Sequence, residues 1–65
     1  MKLMNKDGQA VYYNVVTKHG RDCYVVKAIS GQELMARDKG KTKSRTFHNE
    51  STAAKYLNRY GYTLI

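Results

Sequence analysis

The chain has 65 residues, 42% of them hydrophobic, with neither proline nor tryptophan and a net charge of +7 from 12 Lys and Arg against 5 Asp and Glu. A chain this short forms one domain, residues 1–65, and buries only about 60% of its unfolded surface, which excludes a large enclosed catalytic cavity. The basic excess points to polyanionic partners, nucleic acid first, an acidic protein second and an anionic membrane surface third.

Residues 10–29 read as a β-hairpin. "AVYYNVVT" and "RDCYVVKAI" are rich in β-branched and aromatic residues, with "KHGR" between them and Gly20 for the turn. A two-residue His19–Gly20 loop sets Val15 opposite Tyr24, Tyr13 opposite Val26 and Val11 opposite Ala28. All six then share one apolar face, as the period of two requires. Tyr12, Asn14, Val16, Cys23, Val25 and Lys27 fall on the other face. "SGQ" at 30–32 is the next turn, and "ELMAR" a short third strand that sets Leu34 beside Ala28, Ala36 beside Val26, and Met35 on the outer face.

The stretch "RDKGKTKSR" carries a cation at every odd position: Arg37, Lys39, Lys41, Lys43 and Arg45. As one strand it would align five like charges at a spacing of roughly 6.6 Å. Gly40 lies in its middle, and Leu34 and Phe47 on either side both want the core. A turn over residues 39–42 is therefore expected, with "SRTFH" returning to pair Phe47 with Leu34 and Lys43 with Asp38. This makes a basic finger with Lys39 and Lys41 at its tip and Arg37, Lys43 and Arg45 on its legs, able to follow phosphates.

"NESTAAKYLNRYG" predicts a helix, with Asn49 as N-cap, Glu50 in the first turn and Gly61 as stop. Ala53, Tyr56, Leu57 and Tyr60 form its apolar stripe, and Lys55 and Arg59 lie on another side. "YTLI" either packs under the sheet or adds an edge strand. The expected fold class is α+β: a small antiparallel three- to four-stranded meander over 10–48, one helix over 49–60 packed on one of its faces, and a C-terminal tail over 61–65.

Catalytic and metal chemistry are faint. Cys23, His19 and His48 have no zinc-ligand spacing, and the glycines are isolated turn residues, so neither metal nor cofactor is expected. His48 lacks an oriented partner in the sequence, and "FHNE" reads as a strand end and a helix cap. One cysteine excludes an internal disulfide framework and fits a reducing compartment. No apolar run approaches the ~18 residues of a membrane span. "MKLMNKDGQ" turns polar too early for a secretory leader, so a cytoplasmic, non-membrane protein is expected.

Through Phe47, Asn49, Ala53, Ala54, Tyr56 and Leu57, the segment "SRTFHNESTAAKYLNRYGY" resembles the end of the arm-type DNA-binding domains of tyrosine-recombinase integrases. The resemblance extends over residues 10–61. It implies a three-stranded sheet followed by one helix, with the outer sheet face in the major groove and Tyr12, Asn14, Lys27 and Arg37 reading it.

The leading expectation is a non-enzymatic nucleic-acid-binding accessory or regulatory protein, acting on DNA or RNA. Arg37, Lys39, Lys41, Lys43, Arg45, Lys55 and Arg59 would contact phosphates, while Tyr12, Asn14 and Lys27 touch bases. A second expectation is a phage or mobile-element protein that inhibits a host protein, its basic loop filling an acidic or nucleic-acid-binding groove. A third, weaker one is a toxin-type ribonuclease using His48. The semi-apolar outer sheet face leaves a homodimer through it open.

Overall fold

The computed structural model describes residues 1–35 and 40–64. In chain order its elements are β1 (Lys2–Met4), β2 (Ala10–Lys18), β3 (Arg21–Ala28), β4 (Leu34–Met35), β5 (Lys41–Thr42), β6 (Ser44–Phe47), α1 (Glu50–Arg59) and β7 (Thr63–Leu64). The class is α+β, as the sequence indicates. The main sheet is antiparallel with five strands in the order β6-β3-β2-β1-β7, and β4 and β5 pair separately.

The central hairpin has the register that alternation requires: Val11 faces Ala28, Tyr13 faces Val26 and Val15 faces Tyr24. His19 (φ 50°) and Gly20 (φ 75°) both adopt positive φ, the geometry of a two-residue loop whose twist matches the strands. His19 pays a steric cost there that asparagine pays less readily in full, because Asn tolerates the left-handed region. His19→Asn is expected to raise stability by about 0.5 kcal/mol and the melting temperature by about 2–4 °C, measured by thermal denaturation.

The neighbour of β3 differs from expectation. β6 lies there, with Arg45 opposite Val26 and Ser44 opposite Lys27. Leu34 accordingly does not sit beside Ala28 in the sheet. It pairs with Thr42 rather than Phe47, and Met35 pairs with Lys41. Lys41 and Thr42 are strand residues instead of turn residues, while Ala36, Arg37, Asp38 and Lys39 lie outside the described residues. The physical reason is core demand: Phe47 and Leu34 are both buried in the same cluster. β6 brings in Phe47 by pairing with β3, and β4 delivers Leu34 from outside the main sheet.

Two further strands extend the sheet beyond residues 10–48. β1 pairs with β2, setting Leu3 opposite Val11, and β7 pairs with β1, setting Leu64 opposite Leu3. Thr63 and Leu64 of the C-terminal tail thus form an edge strand.

Helix α1 starts and stops where its caps dictate. The Asn49 side-chain oxygen accepts from the N–H of Ser51 at 2.8 Å and of Thr52 at 3.4 Å. At the other end Gly61 (φ 76°) takes the left-handed cap position. Its N–H donates to Asn58 O at 3.1 Å, and that of Tyr62 to Leu57 O at 2.9 Å, the paired bonds of a Schellman motif. Buried Tyr62 and Leu57 supply the apolar contact that accompanies it. Ala53, Tyr56 and Leu57 pack into a core with Leu3, Val11, Val26, Leu34 and Phe47. Tyr60, expected inside, is 38% exposed at the helix end.

Candidate functional site

With α1 on one face, no described helix covers the other face of the sheet, although Ala10 and Cys23 on it are buried. Strand alternation assigns Lys2, Met4, Ala10, Tyr12, Asn14, Val16, Lys18, Arg21, Cys23, Val25, Lys27, Ser44, Thr46 and Thr63 to it. Four of these are cations, and none of the strand residues on this face is acidic. The register also aligns Lys2, Tyr12, Lys27 and Ser44 in one row across four strands. Tyr12, 44% exposed, stands between the two lysines, whose Cα atoms lie roughly 10 Å apart by strand spacing. Asn14 follows on the same strand opposite Val25, and Lys18 and Arg21 end the face at the hairpin loop.

Sequence reasoning therefore places Tyr12, Asn14 and Lys27 together correctly, but misses Lys2. Its strand is only three residues long, and it exists because Val11 and Leu64 flank Leu3. Met35 is not on this face. It lies in β4 on the helix side, where its carbonyl accepts from Arg45 Nη1 and from the Tyr56 hydroxyl, both at 3.4 Å.

The basic stretch divides. Lys41 is exposed in β5 and Lys43 is exposed where the chain enters β6, its carbonyl accepting from Ala28 N–H at 2.8 Å. Arg37 and Lys39 lie outside the described residues. Arg45 is not a freely extended leg of a finger. It shares the helix-covered face with Val26, and its guanidinium carbon lies 4.6 Å from the Phe47 ring centroid and 5.0 Å from that of Tyr56. Burial raises the Tyr56 pKa above 10.0, against the opposing pull of Arg45.

Arg45 instead meets Lys55 and Arg59 in a groove of about 590 Å³ between β6 and α1. Thr46, Phe47 and His48 supply the strand wall, and Thr52 and Tyr56 complete the helix wall, with no acidic residue lining it among the described residues. Thr52, Lys55, Tyr56 and Arg59 follow helical spacing of three and four, so one stripe faces the strand. His48 Nδ1 lies 3.8 Å from the Sγ of buried Cys23, and among the described residues no carboxylate of this groove orients it. Among the described residues no three His, Cys, Asp or Glu side chains gather as a metal site.

No family model matches the chain, and no curated protein or solved structure matches it either. Function therefore rests on the side-chain chemistry of the two basic surfaces. Among the described residues no helix is long and apolar enough to cross a membrane.

Proposed function

We propose that this is a small cytoplasmic accessory or regulatory protein that binds single-stranded nucleic acid on the outer face of its sheet. The observation that carries the reading is the row Lys2–Tyr12–Lys27 on a face with no acidic strand residue. An exposed tyrosine ring offers a surface on which an unpaired base stacks, and lysines on both sides neutralise the adjoining phosphates. Asn14 adds a donor and an acceptor beside the ring. Lys41 and Lys43, both exposed beside β6, add positive charge at the edge of the sheet.

Breadth favours a single strand over a duplex. Five strands at about 4.8 Å spacing give a face roughly 19 Å across, wider than the roughly 12 Å major groove that admits a two-stranded ribbon. An unpaired strand can lie across such a face without that restriction.

The test is fluorescence anisotropy with labelled single-stranded and duplex oligonucleotides, in DNA and RNA forms, over a salt series. The proposal expects tighter binding of the single strand and a log–log salt slope of about −2.8, from four neutralised phosphates at about 0.7 each. Binding that is insensitive to salt, or equal for duplex and single strand, overturns it. A lysate pull-down with and without nuclease separates the other class of function. A single protein partner that survives nuclease, with no oligonucleotide binding, would make the chain a protein-directed inhibitor.

A further inference from the structure

The groove between β6 and α1 has a property that phosphate binding does not use. β6 ends the sheet order, so one side of its main chain is unpaired by any strand of the main sheet. Which residues turn that way follows from register. Ala28 N–H donates to Lys43 O, so Lys43 and Ala28 are a hydrogen-bonded pair. Antiparallel pairing alternates, so Arg45 and Phe47 also turn their main chain toward β3, while Ser44 and Thr46 turn theirs outward. Ser44 is already occupied: its carbonyl accepts from Thr42 Oγ1 at 2.9 Å, and its N–H donates to the same oxygen at 3.4 Å. That leaves the N–H and C=O of Thr46 at the edge, in the wall of the groove.

We propose that this groove receives an extended acidic peptide of a partner protein, added beside β6 as a short extra strand. Three features select that occupant. The Thr46 main chain presents one donor and one acceptor, which a peptide backbone satisfies together, whereas a phosphodiester backbone offers only acceptors. Arg45, Lys55 and Arg59 converge with no carboxylate lining the groove among the described residues, so the matching side chains are Asp and Glu. Arg45 is also held in place: two aromatic rings lie against its guanidinium and Met35 O takes one Nη1 donor, leaving further N–H groups for a carboxylate. The Thr42 hydroxyl on Ser44 closes one end of the edge, so the added strand pairs at Thr46 and runs toward His48. This site stands apart from the outer sheet face and does not depend on nucleic-acid binding there.

The probe is a fluorescein-labelled peptide of about seven residues alternating valine and glutamate, an extended acidic strand former. A valine–lysine peptide and a copy N-methylated at its central residues are the controls. The acidic peptide is expected to bind, and each control to bind more weakly. The double variant Lys55→Ala/Arg59→Ala, at two exposed helix positions, is expected to weaken binding by about fivefold or more while leaving the melting temperature unchanged. On binding, the Thr46 amide resonance shifts and its hydrogen exchange slows. Lys2→Ala/Lys27→Ala leaves peptide binding intact, which separates this site from the outer face. The proposal is overturned if the lysine peptide binds equally well or the Thr46 amide neither shifts nor gains protection. It is overturned equally if an oligothymidine, rather than the peptide, perturbs Thr46 and loses affinity in the Lys55→Ala/Arg59→Ala protein.

Discussion

Replacing Lys2 and Lys27 together by alanine is expected to halve the salt dependence of single-strand binding on the outer sheet face. Each phosphate neutralised on a single strand contributes about 0.7 to the slope, so the two lysines account for about 1.4 of about 2.8. Between 50 and 200 mM salt, affinity of the unaltered protein then falls about 50-fold and that of the double variant about 7-fold. Both lysines are exposed, so the fold should be untouched. Tyr12→Ala should behave differently, losing about 1–3 kcal/mol of stacking with no change of slope, because the ring carries no charge. Salt titrations of the two variants side by side check both effects. An unchanged slope for the lysine variant would move the phosphate contacts off this face. If Lys41→Ala/Lys43→Ala alone reduced the slope, the basic stretch would be the carrier and Tyr12 a bystander.

The row that this experiment addresses was half legible from the sequence. Period-two alternation fixed Tyr12, Asn14 and Lys27 on one face, since a one-residue slip between the two strands would have put Val26 on the opposite face from Val11 and Tyr13. Lys2 was invisible because a three-residue strand has too little alternation to read, and its place depends on Leu3 meeting Val11 and Leu64. The same limit explains β6. Local pattern identified "SRTFH" as extended but gave it the strand of Leu34 as neighbour instead of β3, because the choice is set by competition between Leu34 and Phe47 for one core. Moving β6 beside β3 had the largest consequence for function. It turned Arg45 onto the rings of Phe47 and Tyr56, and it brought that arginine to the helix cations Lys55 and Arg59. The helix itself was legible to the residue at its N-cap and its stop, because Asn49 and Gly61 act through local hydrogen bonds that need no tertiary context.

Phe47→Ala is expected to leave the protein largely unfolded at physiological temperature. The side chain is 6% exposed and its ring lies 5.2 Å from that of Tyr56, the contact that joins β6 to α1. Truncating a buried phenylalanine costs about 3–5 kcal/mol. At about 0.05–0.15 kcal/mol per residue, the whole chain has only about 3–10 kcal/mol to lose. The variant also removes one of the two rings beneath the Arg45 guanidinium. Phe47→Leu keeps most of the buried volume and should cost under about 1.5 kcal/mol, retaining a cooperative melt. Urea denaturation followed by circular dichroism compares the three proteins directly. A midpoint for Phe47→Ala within experimental error of the unaltered chain would mean that α1 does not depend on β6 for its packing. Because β6 borders the outer face on one side and the groove on the other, unfolding here removes both binding surfaces at once. Phe47→Leu should keep both, so parallel loss in the alanine variant and parallel retention in the leucine variant identify Phe47 as structural support for two sites rather than a contact residue of either.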